Sequence, residues 1–358
     1  MSKLTHRISS ALAGTLLAAF AVACRCNRDV ADFYSISLYP RISAATSALS
    51  SLVPFSVQEG IGIAAAALAV WYLLRALCHR IKWRRFLGNI SLMVLWLFAL
   101  CYAGWACNYY RSSIYDRTGK TPTSFDGEVF ASFLEDYTSG LNESWCDCAC
   151  DTSTLEKDVH EWYSHVSPIY GLARPRSWQH PKTSVFSRLW TGAGVTGFIG
   201  PMSAEHHIMN GIPALEYPFT YAHEYSHVLG VSNEAEANWW AWEACRNSSD
   251  RAARYSAYIF IYGYVRSNAS RLLSKEEYEA WAETVRPEVR EDFAKIGLWW
   301  RSSRIGWFDE VQSWTYNLFL KGNRIPSGTK NYSEIINLII SLGPAQSQTD
   351  AKRYGIPL

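Results

Sequence analysis

Tyr217-Pro218-Phe219-Thr220-Tyr221-Ala222-His223-Glu224-Tyr225-Ser226-His227, followed past Gly230 by Glu234-Ala235-Glu236-Ala237-Asn238, is the stretch on which the reading of this chain turns. If it is helical, His223 and His227 lie one turn apart on one face. Two neutral imidazoles so placed can hold a zinc ion at about 2.0–2.1 Å, with Glu224 on the adjoining flank, where it can take a proton from water at the metal. The chemistry this spacing points to is metal-assisted hydrolysis. Thr220 offers an N-cap hydroxyl for the first helix, and Gly230 suits the left-handed residue that commonly ends one. Ser232 or Asn233 can then cap a second helix carrying Glu234, Asn238, Trp242 and Cys245 at helical spacing.

Two histidines leave the metal short of a ligand. Elsewhere Glu234 and Glu236 would read as a solvated helix start. Here Glu234 stands seven residues after His227, beyond a glycine turn able to fold it back onto the metal, and is the favoured third ligand. Asn238, four residues further on the same helix face, is placed to orient a ligating histidine from outside the metal's own shell. Glu236 points about 200° away around a 3.6-residue helix and is the second choice.

The HExxH stretch resembles a known family when taken with Gly197-Phe198-Ile199-Gly200-Pro201, Glu205, Pro218-Phe219-Thr220 and the ExEAN element. It is similar to the membrane-anchored bacterial proteins grouped as domain of unknown function 3810. The likeness runs from Trp105-Ala106-Cys107-Asn108-Tyr109-Tyr110-Arg111, through Arg254-Tyr255-Ser256, to Leu318-Phe319-Leu320-Lys321-Gly322-Asn323 and Lys330-Asn331-Tyr332. The resemblance implies a zincin, with a pattern of HExxH followed by ExxA[DN] that again favours Glu234, and it supplies no substrate. Where the family commonly has Glu-Ala-Asn, this chain has Glu205-His206-His207, so no role for those histidines is inherited.

At 358 residues and 49% hydrophobic, the chain can hold a catalytic domain as well as membrane spans. A net charge of +2 and the absence of a basic, aromatic-interleaved stripe argue against nucleic acid as a partner. Apolar residues concentrate from Ile8 to Cys24, Ile61 to Cys78 and Ile90 to Ala106, each close to the 20 or so residues a span requires. The connector holding Arg75, Arg80, Lys82, Arg84 and Arg85 is the most cationic stretch, and Lys3 and Arg7 precede the first segment. The positive-inside rule puts both in the cytoplasm, and so puts residues 27–60 and everything after Asn108 outside it. The first segment also resembles a signal peptide that could be acylated at Cys24; because the family keeps its N-terminal helices, we take it as a span.

The expected architecture is therefore mainly α. Residues 1–110 form a membrane anchor of about three transmembrane helices, 111–342 a mostly helical, zincin-like metallopeptidase domain, and 343–358 a loose tail. Gly192 to Gly200, glycine-rich and apolar, suits a small hairpin or an edge strand, the natural wall of a peptide-binding cleft. Tyr255 is assigned as the donor to a developing oxyanion, with Arg254, Tyr332, His206 and His207 as further candidates. Cys146, Cys148 and Cys150 are expected as a disulfide or as free thiols rather than a metal site. The expected function is a zinc-dependent peptidase carrying one zinc ion in a bacterial cytoplasmic membrane, with a peptide or protein substrate and lipid as partners. The alternative is a zinc-binding membrane scaffold without turnover.

Overall fold

The computed structural model describes residues 3–123, 127–328, 330 and 334–345. Tyr332 and most of the expected tail lie outside them. Three helices, α1 (Lys3–Cys26), α4 (Val57–Leu77) and α5 (Trp83–Gly104), are long and apolar enough to cross a membrane. Their large side chains face outward, Leu12, Leu16, Val70, Trp71, Leu74, Val94 and Phe98 among them, the arrangement lipid rather than water would favour. Trp96 of α5 donates to Ser10 of α1.

Between α1 and α4 the sequence suggested only a connection. The structure has α2 (Arg28–Phe33), a π turn over Tyr34–Leu38, and α3 (Tyr39–Ser50). Tyr34 and Tyr39 are fully buried there, in the same core as the later helices.

After α5 come α6 (Ile114–Thr118), α7 (Gly127–Ser144) and α8 (Thr152–Tyr170). A small sheet follows, made of β1 (Lys182–Thr183), β2 (Gly197–Gly200) and β3 (Glu205–Ile208), with α9 (Ser187–Gly192) between its first two strands. The order is β1-β3-β2: β1 runs parallel to β3, and β2 pairs antiparallel with it from Gly197 opposite Ile208 to Gly200 opposite Glu205. This makes β2 an edge strand, the position expected for the glycine-rich segment. The chain closes with α10 (Tyr217–Val228), α11 (Glu234–Arg246), α12 (Arg251–Leu272), α13 (Lys275–Thr284), α14 (Pro287–Ser303), α15 (Gly306–Gly322) and α16 (Ile335–Leu342). The protein is thus mainly helical, with three apolar helices near the N-terminus and one small sheet. Cys146 and Cys148 form a disulfide, while Cys150 is a free thiol pushed up to about 12 by burial and the charge of Asp250.

The core centres on α10 and α11, which are buried on every side, as their dense small and aromatic residues require. Phe219 stacks on Phe260, and Trp239 and Trp240 fill the space against Tyr170.

Candidate metal centre

Helix α10 begins at Tyr217 rather than beyond Thr220, because Pro218 in its first turn gives up an N–H that would be unpaired there anyway. Thr220 is consequently a buried residue within the helix and not its cap. Gly230 takes φ +96°, and a Cβ there would meet the Tyr39 ring at 3.0 Å. The turn hands the chain to Asn233, whose side chain accepts from the Glu236 N–H at 3.0 Å and starts α11. This is the helix, tight turn, helix unit that the spacing predicts.

The last carbonyls of a helix have no intrahelical donors. In α10 they are met by side chains from the membrane-proximal part of the chain. Trp105 Nε1 donates to the His227 carbonyl at 2.7 Å, and Tyr39 Oη and Ser43 Oγ donate to that of Val228 at 2.7 and 3.2 Å. The C-terminal end of the site helix is therefore held by residues flanking the apolar helices.

The unit brings His223, His227 and Glu234 together, all buried, in a group able to hold a metal ion. The His223 Nδ1 is hydrogen-bonded to Asn238 Oδ1 at 2.8 Å and the His227 Nδ1 to the Val231 carbonyl at 2.7 Å. Since the Val231 carbonyl can only accept, and the Asn238 oxygen likewise, each Nδ1 carries a proton, which turns each Nε2 inward as the nitrogen that could offer a lone pair to a metal. The two Nε2 atoms are 3.1 Å apart, and Glu234 Oε2 lies 3.2 Å from one and 3.5 Å from the other. A tetrahedral ion with bonds of about 2.0–2.1 Å has ligand-to-ligand edges of about 3.3–3.4 Å, so the three donors fit one such ion without rearrangement.

Charge follows geometry. Burial alone would hold His227 neutral, but the Glu234 carboxylate beside it outweighs that and raises it to about 9. Burial opposes the charge on Glu234 too, yet the two imidazoles hold its carboxyl well below the usual range. The site accordingly balances one anion against a cation, and a bound metal would displace the proton that otherwise supplies the positive charge.

Glu224 is buried a turn-face away, with Oε2 lacking a hydrogen-bond partner. Burial pushes its carboxyl up to about 7, the neighbouring histidines pulling it the other way. Strand β2 passes directly over it: a Cβ on Gly197 would lie 2.5 Å from Glu224 Cγ and 2.6 Å from the His207 carbonyl oxygen. Only glycine fits that crossing. The triad, Glu224 and β2 line one cavity of about 980 Å³, whose other walls include Trp105, Phe260, Tyr264 and Trp300.

Glu236 is turned away, as its helical phase predicts, into an ion pair with Arg117 at 2.5 Å and a bond from Trp240 Nε1 at 3.1 Å. Tyr255, the assigned oxyanion donor, is not brought to the triad. Its hydroxyl donates to Asp292 on α14 at 3.0 Å, and it lines no part of the cavity. Arg254 donates to the carbonyls of Ser248 and Ser249. His206 packs between Tyr221 and Tyr225, where burial lowers it to about 3, and His207 stacks on Phe198 and bonds to Ser56 Oγ at 2.8 Å. Both are structural. Glu205 of the same strand accepts from the Val57 and Gln58 N–H groups at 3.1 and 3.0 Å, capping the start of α4.

Sequence reasoning missed Tyr316. Its hydroxyl donates to Glu234 Oε1 and it lines the cavity. It comes from α15, far from the motif in sequence, and its only advance signal is its place two residues before the family-like Leu318-to-Asn323 block. Glu216, held by Trp300 Nε1 at 3.1 and 2.9 Å to its two oxygens, also faces this cavity.

The block that carries the triad is shared. The chain belongs to the family described as protein of unknown function (DUF3810), whose profile matches residues 34–340. That match starts at the π turn before α3 and ends within α16, so the family comprises the site together with the segments that brace it. No curated protein and no solved structure matches the chain.

Proposed function

We propose that this member of the family is a membrane-anchored, zinc-dependent metallopeptidase with its site on the extracytoplasmic side. The observation that carries the reading is the combination in one cavity of a three-donor set at tetrahedral spacing with a buried glutamate, Glu224, whose Oε2 has no hydrogen-bond partner. A scaffold needs the first and has no use for the second.

His223, His227 and Glu234 would hold one zinc ion, which when bound supplies Lewis acidity and brings the pKa of water toward about 7. Glu224, buried beside the triad with a free carboxylate oxygen, is placed to accept a proton from water and return it to a leaving amine. Asn238 and the Val231 carbonyl fix the tautomers of the two histidines. Tyr316 braces Glu234. The edge of β2 away from β3 carries no further strand among the described residues, and an extended peptide could pair with it across the cavity mouth. The side of the membrane rests on the cationic Arg75 to Arg85 connector, which joins the far ends of α4 and α5.

The test uses the full chain in detergent or nanodiscs. Zinc should be present at close to one per chain and be lost in His223→Ala, and a proteome-derived peptide library should be cleaved in a chelator-sensitive way. Glu224→Gln should keep the zinc and lose cleavage by orders of magnitude. Full metal-dependent activity in Glu224→Gln would overturn the mechanism, and zinc-loaded protein without any cleavage would leave a scaffold.

A further inference from the structure

Helix α15 is exposed along the wrong kind of face. Trp307, Val311, Trp314 and Leu318 recur at the four- and three-residue steps of one helical stripe, and Trp307 and Trp314 are 69% and 66% exposed. The adjoining face, with Phe308, Tyr316 and Phe319, walls the cavity, and Val311 borders both. A water-facing stripe of two tryptophans, a valine and a leucine is unusual on a soluble surface and ordinary on a helix lying in a lipid interface.

The neighbours say what covers it. The far end of α15 is tied to the ends of two apolar helices: Arg25 of α1 donates to the Gly322 carbonyl, Arg324 donates to that of Arg25, and Tyr102 of α5 donates to Asn323 Oδ1 at 2.9 Å. Two more exposed apolar groups stand near the start of α4. Leu52 and Phe55 stand in the turn that leads into α4. Val185 and Phe186 stand in a segment whose Val185 N–H and Ser184 hydroxyl donate to Glu59, in the first turn of α4. The near end of α15 is tied to the same segment through α9, the Ile305 N–H donating to the Gly192 carbonyl at 2.8 Å and Phe308 packing against Trp190, so each patch is linked to a domain-side end of a helix able to cross the membrane. The cavity itself is lined by Cys101, three residues from the domain-side end of α5.

We propose that α15, the Leu52–Phe55 turn and the Val185–Phe186 segment are immersed in the leaflet on the domain side of the bilayer. The site then takes its substrate there: a peptide segment of a membrane-tethered polypeptide, lying within reach of the lipid surface. The immersion stands on the surface alone, whereas the substrate class rests on the peptidase reading above. Apolar cavity walls contribute to the choice, because they suit side chains that leave lipid without first being hydrated.

The experiment has two arms, both with the full chain in vesicles of phosphatidylethanolamine and phosphatidylglycerol. In the first, a benzophenone amino acid replaces Trp314 or Val311, or Glu279 on exposed α13 as control, and lipid adducts are measured by mass spectrometry after illumination. Adducts at 314 and 311 at least tenfold above those at 279 are expected; equal yields overturn the immersion. In the second, one cleavable sequence is presented free or joined to a transmembrane helix in the same vesicle. The tethered form should be cleaved at least tenfold faster, and Trp307→Ser/Trp314→Ser, with zinc content as its folding control, should lose most of that preference. Equal cleavage of the two forms overturns the substrate class. If neither form is cleaved while lipid adducts persist at 314, the peptidase reading fails, the substrate class falls with it, and the membrane placement stands.

Discussion

Exchanging either of two glutamates two residues apart, Glu234→Gln and Glu236→Gln, should damage the protein in opposite ways. Glu234 is the anionic member of the metal group, so the amide should weaken zinc binding strongly while leaving the fold in place. Glu236 touches none of the three donors. It is a buried carboxylate, 5% exposed, held by Arg117 at 2.5 Å and by Trp240, with Arg111 nearby. Removing one charge of a buried pair leaves the other uncompensated and typically costs about 3–5 kcal/mol. Glutamine keeps the shape and can still accept from Trp240, which argues for about 3 kcal/mol. With an unfolding entropy of about 2.1 cal/mol/K per residue over roughly 290 residues outside the apolar helices, that loss lowers Tm by about 5 °C. The assay is zinc stoichiometry and competitive zinc titration beside thermal unfolding of both variants. Glu236→Gln should keep its zinc and melt early, while Glu234→Gln should lose zinc. A Glu236→Gln protein that loses zinc with unchanged Tm would refute the assignment of the two acids.

Three further outcomes follow from single contacts. Gly197→Ala places a methyl within 2.5 Å of Glu224 Cγ, so a cost of about 1–3 kcal/mol is expected with zinc retained and, where cleavage is measurable, a loss of about a hundredfold as Glu224 is displaced; wild-type stability and rate would contradict the close crossing of β2. Tyr316→Phe removes the donor to Glu234 Oε1 and should weaken zinc about 10–100-fold in a chelator competition, while unchanged affinity would remove Tyr316 from the site. Glu216 is raised to about 7 by burial, so its folded form holds a proton more tightly than the unfolded chain near 4.5. Its stabilisation is full below about 4.5 and lost as pH rises to about 7, by roughly 3 kcal/mol; Glu216→Gln should therefore gain stability over wild type at pH 8 and not at pH 4, measured by denaturant unfolding, and a pH-independent difference would refute it.

What the sequence discloses is what depends on local period. The one-turn spacing of His223 and His227, the opposite phases of Glu234 and Glu236, and the four-residue step to Asn238 are fixed by the helix itself, and the structure places each of these side chains where that period sends it. The apolar runs are similarly readable because a helix able to cross a membrane must be continuous. The failures share a cause. Tyr255 and Tyr316 are equally plausible from sequence, both lying in or beside family-like segments, and only the packing of α12 against α14 turns the first to Asp292 while α15 folds back to bring the second to Glu234. His206 and His207 have the right chemistry for a site, but as neighbours on β3 they point to opposite faces, where Tyr221 and Tyr225 take up the first and Phe198 and Ser56 the second.

The same non-local packing bears on why the site and the anchor come as one unit. The second ligand, His227, sits at the C-terminal end of α10, where backbone carbonyls must find donors outside the helix. Those donors are Trp105, one residue past α5, and Tyr39 and Ser43 of α3, while β3 in turn caps α4 through Glu205. A soluble fragment starting after residue 110 would leave the His227 and Val228 carbonyls without these partners and would remove the Tyr39 ring that packs on Gly230. Each lost buried bond costs about 1–3 kcal/mol, and three of them would rival the stability of an ordinary domain. The segments flanking the apolar helices are thus part of the scaffold that holds the candidate metal site.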